Sequence, residues 1–337
     1  LGRSGSVENN RQRISHASGE NVLRGRREKH VTDLSIIVVT YNAGDFIIDC
    51  LRSLIPALPV PEHAKILVID NASHDGTPEH VAETFPHIRL IRNPENRGFA
   101  AANNQGLALT TGRYIGLLNP DVVVQPDALS LMADFLDQHP NAGIAGPRML
   151  TGDGMVALTA YPPYSVGVIL WQYLGLARVF PYAVFGRYRR QCEQAVQPFP
   201  VGWVQGSCFM LRREVYEQIG GLDEELFLFA EEPDYCDRAQ QAGWETYYVP
   251  AAVVTHYESS SVSRFHDVRV RHYHLSPLHY FRKRGKGSAV LALKVGFSLE
   301  LLAKIGVRLV QGLWDRSKDT ASRIRAYRLA LGEMWRY

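Results

Sequence analysis

The sequence predicts an α/β fold in which helices flank a mostly parallel central sheet. Between residues 34 and 138, short β-branched runs alternate with helical segments in the order β-α-β-α-β-α-β-α, which is typical of such sheets. Three of the predicted strands end in unusually polar sequence, at Thr40–Asn42, Asp70–Asn71 and Asn119–Asp121. Ligands of open α/β sheets bind at the carboxyl ends of the strands, so these three ends should share one ligand-binding rim.

The individual elements follow from residue patterns taken along the chain. Buried strands are predicted from runs of Val, Ile and Leu, and helices from apolar positions spaced three or four apart. Pro78 fits the first turn of the second helix. The predicted strands are 35–39, 65–69, 88–91, 113–118, 203–211, 246–249 and 252–255, and the predicted helices include 98–110, 126–138, 213–219 and 231–242.

Composition and charge divide the chain into sections. Hydrophobic residues make up 46% of the 337 residues, enough for a substantial core, and the four scattered cysteines fit a reducing cytoplasm. Residues 31–263 carry 14 Lys/Arg against 26 Asp/Glu, whereas residues 264–337 carry 16 against five. A basic C-terminal section on an acidic body favours an anionic surface as partner.

Two segments differ from the predicted catalytic body at 34–263. Residues 1–33 are polar and are predicted to be disordered. Residues 161–200 are rich in Tyr, Trp and Phe, and they are interpreted as a lid or acceptor-facing segment. Pro181 and Gln172 argue against a membrane span there, although its length would permit one.

Several sequence features exclude or suggest particular chemistry. The first strand is followed by neither G-x-G-x-x-G nor G-x-x-x-x-G-K-[ST], which disfavours nicotinamide enzymes and P-loop phosphoryl transfer.

Asp121 after an apolar strand could hold Mg²⁺ or Mn²⁺, although Asn-Pro-Asp is also good turn sequence. Asp70 and its loop could bind ribose hydroxyls or cap a helix. Crowded carboxylates at Glu231–Asp234 could supply a general base or stabilise a helix N-terminus.

Six segments in the same order resemble the family-2 glycosyltransferases of the GT-A fold, over roughly residues 34–263. Asn119-Pro120-Asp121 stands where that family has D-x-D, and the segment around Glu231-Glu232 is similar to the one that carries its base. The other similar segments are Ser35–Asn42, Ile69–Thr77, Asn96–Asn104 and Gly206–Asp223.

The resemblance implies a role for each matching residue. Asp121 would hold the divalent metal with His256 as a second ligand. Glu232 would be the general base, and Glu231 is the second candidate for that role. The implied nucleotide-binding residues are Thr40, Tyr41, Asn42, Asp70, Asn71, Ser73, Arg97, Gly98, Asn104 and Asn119. Trp203, Gln205, Gly206 and Asp234 would shape the sugar and acceptor pocket, and Asp234 is grouped with the catalytic carboxylates.

Two departures from the family pattern bear on the substrate. Asn119 replaces the first Asp of D-x-D, as in the branch that resembles rhamnosyl- and galactofuranosyltransferases, which favours dTDP-rhamnose as donor and a UDP-sugar as second choice. The Glu-Glu pair replaces Glu-Asp. The chain lacks the Q-x-x-R-W run of processive synthases, so transfer of a single sugar is favoured. A catalytically inactive sugar-nucleotide-binding scaffold is the alternative.

The C-terminal section is predicted to be a basic, amphipathic helical region. Its basic stretch precedes an apolar segment at 288–310, in which Lys294, Glu300, Lys304 and Arg308 fall within one arc. This pattern is typical of a helix lying in a membrane interface, but a helix packed on the catalytic domain or in a homo-oligomer would look the same. We therefore predict a cytoplasmic protein at the inner face of the cell membrane, with a lipid-linked saccharide acceptor and no nucleic acid partner.

Overall fold

The computed structural model describes residues 33–58, 64–175, 184–257, 266–311 and 318–337. Three predictions fall wholly or partly outside these ranges. They are the disordered segment at 1–33, of which Asp33 alone is described, the middle of the aromatic segment, and the boundary between 263 and 264.

A mixed sheet forms the centre of the protein and confirms the α/β class. Its order within the described residues is β3-β2-β1-β4-β10-β6-β11-β5, with β8 pairing to β11, and β7 pairs with β9 in a separate ribbon. The strands are β1 (Leu34–Thr40), β2 (Ala64–Asp70), β3 (Arg89–Arg92), β4 (Tyr114–Leu118), β5 (Val122–Val124), β6 (Ala142–Thr151), β7 (Ala160–Tyr161), β8 (Phe199–Val201), β9 (Trp203–Val204), β10 (Cys208–Arg212) and β11 (Glu245–His256).

The parallel half of the sheet aligns the polar strand ends. Every residue of β1 is buried, as expected for a strand covered on both faces. Thr40 pairs with Asp70 on β2, and Val38 pairs with Leu118 on β4, so the following Asn119 begins at the same edge. The shared rim that the sequence predicts therefore exists.

The second half of the sheet differs from the prediction. The run predicted as one strand at 203–211 is two strands, because the chain turns at 205–207 between β9 and β10. β10 runs antiparallel between β4 and β6. The strands predicted at 246–249 and 252–255 are one strand, β11, with an irregularity between Val249 and Val253. Short strands such as β5 carry too few residues for a periodic signal.

Eleven helices in the described residues surround the sheet and extend beyond it. Three of them form a C-terminal bundle whose core includes Phe297 and Leu301, and Ile169 from the aromatic segment joins that core. The helices are α1 (Asp45–Ala57), α2 (Thr77–Thr84), α3 (Gly98–Leu107), α4 (Ala128–Gln138), α5 (Val166–Tyr173), α6 (Val184–Gln194), α7 (Arg213–Ile219), α8 (Glu231–Gln241), α9 (His266–Lys283), α10 (Gly287–Gln311) and α11 (Lys318–Arg336).

The α10 helix is oriented differently from the interfacial helix that the sequence predicts. Glu300 belongs to the predicted charged stripe, yet it is buried and bonds to His274 of α9 at 3.0 Å. A row of apolar side chains on the other side is exposed instead, comprising Leu291, Val295, Leu299, Leu302, Leu309 and Val310. None of the described helices combines the length and the apolar composition that crossing a bilayer requires.

Candidate active site

A cavity of about 870 Å³ opens at the polar rim of the sheet. One end is lined by strand-end residues, including Asn71 and Asn119, and the other by aromatic residues of β7, β9, α5 and α9. Glu231 and Glu232 also line it, at the start of α8. Parts of the chain more than 200 residues apart therefore build one cavity.

Asp121 and His256 form a pair at the strand end of this cavity. His256 pairs with Val122 in the register of β11 and β5, which places its ring beside Asp121. The imidazole Nε2 lies 3.0 Å from Asp121 Oδ1, and both side chains are largely buried. A hard carboxylate oxygen beside an imidazole nitrogen suits Mn²⁺ or Mg²⁺, with further ligand positions left for phosphate oxygens. These two residues fit the predicted metal.

Asn71 is the centre of a hydrogen-bonded loop network beneath the strand ends. Its amide donates to Asn96 Oδ1 at 2.8 Å and to the Gly98 carbonyl at 3.2 Å. Its carbonyl oxygen accepts from Asn93 and from the Arg97 backbone N–H. This network fixes the 96–98 loop against the end of β2.

The other predicted nucleotide-binding residues divide into those that face the cavity and those that hold the loops. Asp70 accepts from the Ser73 N–H, and Asn42 accepts from the His74 N–H, so both stabilise the first two strand-end loops. Buried Thr40 Oγ1 and Asp70 Oδ1 have no hydrogen-bond partner in the described chain. Tyr41, Asn71, Gly98 and Asn119 line the cavity, whereas Thr40, Asn42, Asp70, Ser73, Arg97 and Asn104 do not.

Asn104 lies between α3 and the loop that precedes α8. Its side chain donates to the Leu222 carbonyl at 2.9 Å and accepts from the Leu222 N–H at 2.8 Å. These two bonds tie α3 to the loop before α8 and use both polar atoms of the amide. Asn104 was expected to bind the nucleotide, but its side chain bonds to the protein backbone outside the cavity.

Glu231 and Glu232 differ in environment although they are adjacent. Glu232 Oε1 accepts from the Gly206 N–H at 2.8 Å, whereas Glu231 Oε2 is buried without a partner among the described residues. Burial raises the pKa of Glu232, and the backbone N–H groups oppose the rise. Burial and then the Glu232 charge raise the pKa of Glu231 well above its ordinary value. Glu232 is thus the first of the pair to ionise.

Gly206 is the residue that allows the Glu232 carboxylate to approach the β9–β10 turn. A β-carbon at this position would overlap the carboxyl group of Glu232. The glycine predicted to shape the sugar pocket therefore acts by omitting a side chain.

The backbone just before the carboxylate pair is strained and is held by α9. Phe229 and Ala230 have φ values of 67° and 69°, in the left-handed region that residues with a β-carbon disfavour. Ser276 of α9 donates to the Leu228 carbonyl at 2.8 Å, and His272 stacks on Phe227. Such strain persists only where surrounding contacts enforce it.

Asp234 is not in the cavity, which corrects its predicted place among the catalytic and pocket residues. Its side chain is 3% exposed and lies 2.8 Å from Arg238 Nε and 3.0 Å from Arg284, which directly follows α9. Neither of these two arginines lines the cavity, so the Asp234 carboxylate is held outside it. Two arginines neutralise Asp234 and join α8 to the C-terminal helices.

The end of the cavity away from the strand ends is aromatic. Trp203 stacks on Tyr161 at 4.0 Å, and the edge of Tyr164 faces Trp203 at 6.1 Å. Trp203, Gln205 and Gly206 all line the cavity, as predicted. Four further residues that had no predicted site role also line it, namely Tyr164, Tyr173, Tyr273 and Arg269. The sequence indicated these residues only through the aromatic composition of 161–200 and the basic composition of 264–337, which do not identify individual positions.

Another group of potential metal ligands lies away from the cavity. The ligand atoms of Asp223, Glu225 and His279 lie within 4.8 Å of one another. Lys283 already contacts Asp223 Oδ2 at 2.7 Å, and Tyr337 contacts His279. An ammonium group on the same carboxylate favours a salt-bridged surface contact over a cation site.

Comparison with known proteins identifies the family. The model of the glycosyl transferase family 2 matches residues 35–220, just over half of the chain. The chain belongs to this family. An N-acetylglucosaminyl-diphospho-decaprenol L-rhamnosyltransferase of Mycobacterium tuberculosis is 31% identical over 298 residues, covering 82% of this chain and 93% of that protein. This family-2 protein is a glycosyltransferase, and its resemblance to the rhamnosyltransferase branch is confirmed.

Solved structures support the GT-A fold. A mannosyltransferase from Pyrobaculum calidifontis in complex with GDP-Man and Mn²⁺ aligns with a TM-score of 0.54 at 18% identity, over 90% of this chain and 87% of that one. GalNAc-T7 with UDP, GalNAc and Mn²⁺ aligns with a TM-score of 0.53 at 16% identity, over 68% of this glycosyltransferase and 44% of that chain.

Proposed function

We propose that this family-2 protein is an inverting, metal-dependent glycosyltransferase that moves one rhamnose from dTDP-rhamnose to a lipid-linked saccharide in cell-surface polysaccharide synthesis. The observation that carries the proposal is the shared cavity of Glu232 and the Asp121–His256 pair. One end offers a base for an acceptor hydroxyl and the other offers ligands for a cation beside a diphosphate.

The carboxylate pair supplies the proton chemistry. Glu232 is the ionised member, and it takes the proton of the acceptor hydroxyl as that oxygen attacks the anomeric carbon. Glu231 remains protonated beside it, since two buried carboxylates in contact disfavour a double charge. A divalent cation at Asp121 and His256 would supply Lewis-acid stabilisation of the charge that develops on the leaving diphosphate.

The donor and acceptor are inferred from the relative and from the residues at the rim. The mycobacterial relative is an L-rhamnosyltransferase whose name gives an N-acetylglucosaminyl-diphospho-decaprenol acceptor. Asn119 lines the cavity at the position of the first Asp of the D-x-D motif. This replacement matches the rhamnosyltransferase-like pattern. The aromatic end of the cavity suits a saccharide with an attached apolar chain.

We further propose that residues 34–263 act as the catalytic body and that 264–337 attach it to the inner face of the cell membrane. The exposed apolar row of α10 provides a surface for the bilayer interface. The predicted basic cluster contributes less than expected, because Lys283 and Arg284 are paired with Asp223 and with Asp234 and Asp237. Sedimentation with vesicles of anionic lipid tests this, and a Leu299→Asp, Leu302→Asp variant should stay in the supernatant.

A donor panel tests the proposed reaction. Purified protein is incubated with dTDP-rhamnose, UDP-galactofuranose, UDP-hexoses or GDP-mannose and a short-chain prenyl diphosphate carrying N-acetylglucosamine, with Mg²⁺, Mn²⁺ or EDTA. We expect release of dTDP and a rhamnosylated product that require the cation. Turnover of a UDP-sugar instead would change the donor. Tight nucleotide binding without transfer or hydrolysis of any donor would support the scaffold alternative.

A further inference from the structure

Arg269 of α9 is the cation that the proposed reaction leaves without a role. Among the described residues that line the cavity, it is the sole lysine or arginine. Its side chain is exposed and forms no ion pair with a described residue. Arg271, two positions later on the same helix, is paired with Glu333 at 2.6 Å. An arginine that faces a substrate cavity without a carboxylate partner is suited to an anionic ligand.

The neighbours of Arg269 place it at the aromatic end of the cavity. Tyr273 lies one helical turn further along α9, on the same face. Burial raises the pKa of Tyr273, while the nearby Arg269 charge acts to lower it. Tyr273 stacks on Tyr173 at 4.4 Å, and Gln172 Nε2 donates to its hydroxyl at 3.2 Å. The arginine thus adjoins a fixed group of α5 and α9 side chains.

This location is on the side of the general base. Tyr273 contacts Phe229 at 5.4 Å, just before the Glu231–Glu232 pair. In an inverting displacement, the acceptor oxygen and the leaving diphosphate occupy opposite faces of the anomeric carbon. The base therefore marks the acceptor side, and Asp121 and His256 mark the donor side. A cation beside the base-bearing segment is positioned for a phosphate that belongs to the acceptor.

We propose that Arg269, with the Gln172–Tyr273 pair beside it, forms a subsite for the diphosphate of a lipid-linked acceptor. This inference rests on the proposed function and names how that acceptor is recognised. The planar guanidinium donates two parallel hydrogen bonds to phosphate oxygens, and the aromatic side chains accommodate the attached saccharide. The lipid chain leaves toward α10, whose exposed apolar row lies on the bundle that α9 begins.

The test compares Arg269→Gln and Arg269→Lys with the matched control Arg271→Gln. Each variant is assayed with N-acetylglucosaminyl diphosphate on a farnesyl chain and with a neutral octyl N-acetylglucosaminide. We expect Arg269→Gln to raise KM for the diphosphate acceptor about 10- to 100-fold, the effect of losing hydrogen bonds to a charged group. KM for the neutral acceptor should stay within about twofold, within the scatter of surface substitutions. Arg269→Lys should fall between, and Arg271→Gln should match wild type.

Three outcomes would overturn the subsite. Equal KM increases for both acceptors would mean that Arg269 has a structural role. An increase in KM for the nucleotide sugar would mean that the arginine binds the donor diphosphate. If the wild-type protein transfers sugar to neither acceptor, the proposed function fails, and the subsite is then judged by farnesyl diphosphate binding in the presence of dTDP. Equal affinity of the wild type and Arg269→Gln for farnesyl diphosphate would refute it.

Discussion

The two ends of the cavity are built in different ways. The donor end consists of short polar loops that follow parallel strands, and its residues are fixed by hydrogen bonds such as those of Asn71. The acceptor end consists of aromatic side chains from β7, β9, α5 and α9, of which α9 lies beyond the family match at 35–220. The polar end therefore lies within the family match, whereas the aromatic end also uses residues from α9 beyond it.

Substitution of the proposed base should give the largest effect. Glu232→Gln keeps the shape but removes the proton acceptor, so transfer should fall about 10²- to 10⁴-fold. Affinity for dTDP should remain near that of wild type, because the nucleotide contacts lie at the other end. Initial rates and calorimetric titration with dTDP measure the two quantities.

Glu231→Gln is the matched control for Glu232→Gln. Because Glu231 is the protonated member of the pair, a neutral amide of the same size should cost much less than the loss at Glu232. If Glu231→Gln proved the more damaging of the two, the roles of the two carboxylates would have to be exchanged.

Removing a proposed metal ligand tests the proposed donor end alone. His256→Ala should raise the Mn²⁺ concentration needed for half-maximal activity at least about tenfold, since loss of groups around a metal weakens its binding by about 10- to 100-fold. KM for the acceptor should change little. His139→Ala is a control, because that histidine stacks on Phe135 outside the cavity. Wild-type activity that is unchanged by EDTA would exclude the proposed metal dependence.

Sequence reasoning succeeded at the donor end because its information is local. A β-branched run followed by Asp or Asn identifies a strand end, and parallel pairing then brings such ends together, as Thr40 and Asp70 show. The Asp121–His256 contact could not be predicted from local sequence alone. It depends on the antiparallel register of β5 and β11, and the family resemblance supplied it where spacing could not.

The acceptor end was less predictable because its contacts join distant segments. Tyr173 meets Tyr273 across 100 residues, and no periodicity within either segment specifies that stack. The charged stripe of α10 was interpreted as solvent-facing, yet Glu300 is buried, where His274 of α9 and Lys304, one turn further along α10, pair with it. Asp234 was likewise predicted to be catalytic, but it pairs with Arg284, a residue 50 positions away that local sequence does not connect to it.

The pH dependence of the reaction sharpens the account of the base. Burial raises the pKa of Glu232, and the base must be ionised to act, so activity is lost as the pH falls through that raised value. The acid limb of kcat/KM should therefore lie above the ordinary glutamate pKa of about 4.3. Each further pH unit below the limb should reduce the rate about tenfold. A limb at or below the ordinary value would contradict a buried base.

The contact between α8 and the residues that follow α9 can be broken at Arg284. Arg284→Met removes one of the two arginines that neutralise buried Asp234, leaving Arg238 in place. We expect the free energy of unfolding to fall by about 1–3 kcal/mol, less than the full cost of an unpaired buried charge because one partner remains. Arg282→Met is the control, since Arg282 contacts the terminal Tyr337 at the surface. Equal midpoints of thermal unfolding for the two variants would argue against this junction.

The smallest effect concerns the strained backbone that precedes the base. Ala230→Gly relieves a left-handed conformation and should stabilise the protein by about 1 kcal/mol, whereas Ala303→Gly at an exposed position of α10 should destabilise it by about 0.5–1 kcal/mol. Chemical denaturation measures both changes. Because α9 contacts enforce the strain, we also expect Ala230→Gly to lower kcat while leaving the Kd for dTDP unchanged. A variant that was both more stable and fully active would show that the strained backbone is not needed to position the carboxylate pair.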